Sequence, residues 1–272
     1  MKLPEFNTQK ELFKFLVENK NIIIAQKKAI LKMSDGVSAY YSHIDKSGQL
    51  SKANEPFTPD ADEYKVRVVI NTTNLLDSHM DVHIPGIWNK SLSENKMIMH
   101  LQEHKMAFDK IIADGKDLKA FVKTYSWGEL GYSFDGDTQA LVFDSTIKKK
   151  RNGFMFDQYS EGYVKQHSVG MNYVKLIMCI NDESYGAEFE AWEKYYQQII
   201  NPEMADKRGY FWACTEAKVR EGSAVPIGSN YATPTLDNDL KYEPSSDTHN
   251  KNNQPEQSTG IDYKYLRENL NL

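Results

Sequence analysis

The chain has 272 residues, with 33 Lys plus Arg against 38 Asp plus Glu and a formal net charge of −5. That length can bury a core of its own, and that charge balance is wrong for a protein that coats nucleic acid. No stretch approaches the roughly 18 uninterrupted apolar residues of a membrane span, and Met1–Lys14 mixes acidic and basic residues without an apolar run, so neither a span nor a secretory leader is expected.

The first element in chain order reads as helix. From Thr8 to Met33 the apolar residues Leu12, Phe13, Phe15, Leu16, Val17, Ile22, Ile23, Ile24, Ala29, Ile30 and Leu31 follow a mostly 3.6-residue period. Thr8 with Glu11 three residues on has capping-box spacing, and Asn19-Lys20-Asn21 is a candidate break into two helices. Residues Ser34 to Ala61 lose the period and gather Ser, Asp, Gly and Pro, which is linker composition. Strand patterns follow: Tyr64–Asn71, Lys110–Gly115, Leu118–Thr124 and Ala140–Ile147 are short, β-branched or alternating, and separated by turn residues. Asn152-Gly153 reads as a turn and Lys148–Arg151 as a solvated charge run. An apolar run, Met171–Ile180, precedes a helical pattern at Ala187–Ile200 that stops at Asn201-Pro202. Strand character returns over Tyr210–Val219. Beyond about Leu236 the chain is too polar to order itself, apart from a possible short helix at Tyr263–Leu272. Two cysteines, Cys179 and Cys214, are too few for a disulfide scaffold and read as reduced core residues of a cytosolic protein.

These elements divide the chain into an N-terminal helical arm (1–35), a linker (36–61), one main domain (62–235) and a disordered tail (236–272). The main domain is expected to be mainly β with helices, an α+β fold whose short strands form an antiparallel barrel or sandwich.

Two groups of residues could do chemistry. His100-Leu-Gln-Glu-His104 fits H-x-x-E-H, in which two histidines on one helical face hold zinc and the Glu acts as base. Five residues with three fixed recur by chance, and no third ligand picks itself out, so a surface histidine is the stronger reading of His100. The other group is Glu161–Met171, where Ser168 sits between His167 and Val169-Gly170. A serine is inert until a positioned base takes its proton, and that base needs an orienting carboxylate. On spacing alone Ser168 reads as structural. His167, next to it on a strand, points to the opposite face and is a poor base for its neighbour.

Four segments in order resemble the tailed-phage prohead proteases of the Hong Kong 97 type. They are Asn74–Leu92 with Ile84-Pro85-Gly86, then Leu101–Lys105 with Asp109–Ala113, then Gly162–Met171, and last Ala213–Val219 with Pro226 and Asn230. The resemblance spans roughly Tyr64 to Thr235. It departs from the family where Ala217-Lys218 replace Val-Ser in a Glu-Val-Ser-Leu-Val strand, where Ile227–Ser229 lengthen the following turn, and where the 187–201 helix is inserted or enlarged.

The resemblance implies a barrel surrounded by helices, like that of herpesvirus assembly proteases, and a serine endopeptidase of capsid maturation with no cofactor or metal. His104 would be the base, Ser168 the nucleophile and Glu216 the group that orients His104, with Asp81 and His167 next in line for the third place. The oxyanion amides are sought near Gly170 or a Gly222–Val225 turn. The implied substrates are capsid-protein and scaffold segments, and the chain itself, inside the immature capsid in the host cytoplasm. A homodimer or higher self-association is expected, with neither membrane nor specific nucleic acid as partner. The alternatives are a zinc peptidase using His100, Glu103 and His104, and a non-enzymatic assembly or scaffolding module with the same fold.

Overall fold

The computed structural model describes residues 4–31, 62–95 and 97–236. The expected linker, the tail from residue 237 onward and the short helix at Tyr263–Leu272 lie outside them. In chain order the elements are α1 (Gln9–Glu18), α2 (Lys20–Ala29), β1 (Glu63–Thr72), β2 (Asp81–His83), α3 (Asn89–Glu94), β3 (Met99–Gln102), β4 (Ile111–Asp114), β5 (Leu118–Ser126), β6 (Asp137–Lys148), α4 (Gly153–Ser160), β7 (Gln166–Ile180), α5 (Gly186–Tyr196), α6 (Glu203–Arg208), β8 (Tyr210–Val225) and β9 (Thr235–Leu236).

The N-terminal pattern yields two helices, divided at Asn19. Thr8 caps α1 by accepting from the Glu11 N–H at 3.2 Å, and the Asn19 amide donates to the Phe15 carbonyl at 2.9 Å to close its end. The pair of helices docks on the main domain. Phe13, Leu16 and Ile23 enter the core, Lys20 pairs with Glu188 at 2.6 Å, and Lys27 reaches the buried Asp81 at 2.5 Å.

One sheet is antiparallel, in the order β5-β6-β1-β9. The other is built on the long strand β8. β7 runs antiparallel along one side of it, β2 and β3 lie parallel to successive stretches of the other side, and β4 pairs with β3. Between the sheets Val68, Ile70, Leu141 and Phe143 meet Val169, Met171 and Val219, all buried. The approach is close enough that a Cβ on Gly222 would lie 2.6 Å from the Phe143 ring and 2.8 Å from Ile70. Fully burying one such side chain contributes about 1.5–3 kcal/mol.

The α+β class is seen, but the sheets do not close into a barrel. Two parallel pairings, β2 and β3 with β8, stand where antiparallel ones were expected, and β2, β4, β5, β7 and β9 lie at the edges of their sheets. Alternation in a sequence identifies a strand; it carries no information about its partner or direction. Asn152-Gly153 is also more than a turn, because the Asn152 side chain accepts from the Met155 N–H at 3.1 Å and starts α4. Lys148 and Arg151, the first and last residues of the charge run, bond Asp117 and Asp114 respectively.

Candidate functional site

The site is built on the β7–β8 ladder. Ser168 lies directly opposite Ser223, Val169 opposite Gly222 and Gly170 opposite Glu221. Successive side chains alternate between faces and opposed residues share a face. Ser168, Gly170, Glu221 and Ser223 therefore project from one side, while His167, Val169 and Gly222 face the core between the sheets. Opposed Cβ atoms stand about 5 Å apart, which sets the spacing of Ser168 and Ser223.

His104 arrives from the other flank of β8. It follows β3, where Leu101 and Gln102 pair with Ser223 and Ala224, and the chain then turns sharply. Glu103 and His104 both take left-handed backbone conformations, at φ 53° and 57°. Two consecutive non-glycine residues there are uncommon, and such strain persists where surrounding bonds over-determine it. Those bonds are Glu103 N–H to the Ala224 carbonyl at 2.9 Å, Lys105 N–H to the Gln102 carbonyl at 3.0 Å, and His104 N–H to Ser223 Oγ at 3.1 Å. The turn lays the imidazole over the ladder. Its Nδ1 meets Glu221 Oε1 at 2.7 Å, and Ser223 Oγ donates to Glu221 Oε2 at 2.5 Å.

Glu221 is 1% exposed. The role of Gly170 follows from this carboxylate, since a Cβ on that glycine would overlap it. Bonding of Nδ1–H to a carboxylate leaves Nε2 as the basic nitrogen. His104 Nε2 is buried and has no hydrogen-bond partner among the described residues. Ser168 is 5% exposed and lines a small cavity with Ile70, Asn71, His83, Val169, Ser229 and Asn230.

Glu216 is not the residue at His104. Its carboxylate bonds Lys175 at 3.0 Å and Lys90 at 3.4 Å, and the Lys175 ammonium pulls it below the usual carboxylate range. The carboxylate that meets His104 Nδ1 is Glu221 instead. The sequence did hold a pointer to it: Glu221-Gly-Ser-Ala-Val225 followed by Pro226 keeps Glu-x-Ser-x-Val better than Glu216-Ala-Lys-Val219 does. Asp81, the next candidate, accepts from Tyr173 Oη at 2.9 Å and from Lys27, and so ties α2 to the domain.

The H-x-x-E-H segment is not helical. His100 and Leu101 are in β3 while Glu103 and His104 form the turn, so the i, i+4 spacing does not put two imidazoles on one helical face. Among the described residues no group of three or more His, Cys, Asp or Glu side chains is placed to hold a metal ion. The expected Gly222–Val225 turn is also absent. Residues 221–224 lie within β8 near its C-terminal end, flanked by both β3 and β7, and their amides belong to those ladders.

On the core face His100 and His167 build a second, closed arrangement. The Thr233 carbonyl can only accept, so His167 Nδ1, 3.0 Å away, carries its hydrogen and Nε2 is an acceptor. Tyr159 Oη therefore donates to His167 Nε2 at 3.0 Å and accepts from His100 Nε2–H at 3.0 Å. His100 Nδ1 then accepts from Ser145 Oγ at 2.9 Å. Every group is satisfied with both imidazoles neutral. Burial holds both well below the ordinary histidine value, His167 at about 4 despite the opposing Thr233 carbonyl, and the repulsion that two charged imidazoles would feel lowers His100 further.

Compared with protein-family models, with curated proteins and with solved structures, the chain finds no significant match. No helix among the described residues is long and apolar enough to cross a membrane.

Proposed function

We propose that the chain is a serine endopeptidase of capsid maturation, acting on scaffold or capsid-protein segments during phage head assembly, with His104, Ser168 and Glu221 as its catalytic group. The observation that carries the chemistry is an imidazole held by a buried carboxylate at 2.7 Å, with its other nitrogen unpartnered on the face that bears Ser168. The chain order His, Ser, Glu is the one expected of the prohead proteases, and Glu221–Val225 supplies their Glu-x-Ser-x-Val segment. A helix-decorated β fold related to the herpesvirus assembly proteases is part of the same reading.

In this mechanism Ser168 Oγ attacks the scissile carbonyl carbon as His104 Nε2 takes its proton. Glu221 holds the Nδ1–H tautomer and stabilises the imidazolium that forms. His104 then passes the proton to the leaving amine. A water, activated by the same nitrogen, cleaves the acyl-enzyme.

The test is co-expression with the cognate capsid protein, read by intact mass, alongside treatment of the purified chain with a fluorophosphonate. Wild type is expected to process its substrate and to carry the adduct on Ser168, and Ser168→Ala and His104→Ala to do neither, whereas His100→Asn keeps processing in whatever fraction folds. Unprocessed protein in well-formed shells for every version, wild type included, would replace the enzyme with an assembly module. Dependence on His100 with dispensable Ser168 would replace it with a zinc peptidase.

A further inference from the structure

We propose that Ser223 is the positioning residue of this site, one hydroxyl that locks the Glu221 carboxylate and the His104 turn into a single register. The inference rests on the hydrolase reading above and adds to it a residue that touches no substrate.

Ser223 is fully buried at the middle of the sheet, with β7 on one side and β3 on the other. A hydroxyl offers one hydrogen and accepts through its lone pairs. Here the hydrogen goes to Glu221 Oε2 at 2.5 Å and a lone pair receives the His104 backbone N–H at 3.1 Å. The roles cannot be exchanged, because an amide N–H only donates and a carboxylate only accepts. Engaging Oε2 stops the carboxylate from rotating and presents Oε1 to His104 Nδ1 at 2.7 Å.

Gly170 completes the constraint from the opposite strand by leaving open the space in which the carboxylate lies. The other two bonds that hold the Glu103–His104 turn, to the Ala224 and Gln102 carbonyls, are backbone bonds that do not touch Glu221. Ser223 is thus the side chain that bonds the turn and the carboxylate at once. Losing its oxygen frees both partners, with no change of fold required.

The experiment combines two readouts on Ser223→Ala and Ser223→Thr. The first is the rate at which a fluorophosphonate labels Ser168. The second is the nitrogen-detected NMR signature of His104 Nδ1–H in the histidine-labelled full chain. Ser223→Ala is expected to slow labelling about 10- to 100-fold, the usual scale for removing a group that orients an active one. It should also weaken or lose the Nδ1–H signature, and Ser223→Thr, which restores the hydroxyl, should recover both. If Ser223→Ala does not stay folded at the assay temperature, Ser223→Cys keeps the volume, weakens both bonds and is read the same way.

A folded Ser223→Ala protein with wild-type labelling and an unchanged Nδ1–H signature overturns the proposal. Slowed labelling that Ser223→Thr fails to recover, with an unchanged signature, also overturns it. Absence of labelling in wild type defeats the hydrolase reading alone. The NMR comparison of wild type with Ser223→Ala then still decides whether Ser223 positions His104.

Discussion

The two faces of the β7–β8 ladder use the same kinds of residue to opposite ends. On the core face, His167, Tyr159, His100 and Ser145 form a directed chain in which each donor has an acceptor, ending on the Thr233 carbonyl. On the other face, His104, Glu221 and Ser223 form a network with one end left open at Nε2. A closed polar network specifies a core, whereas an open one retains capacity to bond something that arrives. Both faces are buried, so burial does not tell them apart; the satisfaction of their polar groups does.

The largest expected effect falls on the open face. On the proposed endopeptidase reading, Glu221→Gln keeps the shape of the side chain but removes the charge that selects the Nδ1–H tautomer, so processing should fall by about 10⁴-fold. Near-wild-type turnover in a folded Glu221→Gln protein would erase the functional difference between the faces.

Next is Tyr159→Phe on the closed face. It strands the His167 Nε2 acceptor and the His100 Nε2–H donor in the core, at about 1–3 kcal/mol each. Urea unfolding should register that loss, while labelling of Ser168 per folded molecule stays close to wild type. Loss of labelling without loss of stability would assign the core chain a part in the chemistry.

A third effect is set by pH. His167 is held neutral at about 4 in the folded chain, so between that value and the ordinary histidine value near 6.5 the unfolded state binds more protons. Its contribution is present above pH 6.5 and is lost as pH falls to about 4, amounting to roughly 3 kcal/mol, and His100 acts in the same direction. Denaturant titrations at pH 7 and pH 4.5 check this, and equal stability at the two values would mean that the chain already accommodates a proton. The smallest effect belongs to Glu216→Gln. It removes surface pairs with Lys90 and Lys175 and should change neither processing nor the melting temperature measurably.

Much of the architecture was legible because it is locally encoded. The capped 3.6-residue pattern after Thr8, the β-branched run over Tyr64–Asn71 and the aromatic period over Ala187–Ile200 each mark an element at nearly its observed bounds. The opposite orientation of His167 and Ser168 follows from strand alternation alone. Glu221 was missed although its Glu-x-Ser-x-Val setting was readable, because Glu216 lies in an equally strand-like stretch five residues earlier. Only Lys90 from α3 and Lys175 from β7 show that Glu216 is already neutralised.

By itself, then, the sequence marked the longer strands and helices, and through its resemblance to the prohead proteases it pointed to His104 and Ser168. Tertiary structure alone decided that β2 and β3 run parallel to β8, that the sheets stay open, and that His100 is bonded in the core while His104 turns onto the other face. It also decided that Glu221 is the carboxylate His104 meets. The physical reason is one of range. Backbone preference and burial period act over a few residues, whereas the partner of a strand or an imidazole depends on a register across more than 100 residues of chain, and His104 and Glu221 are 117 apart.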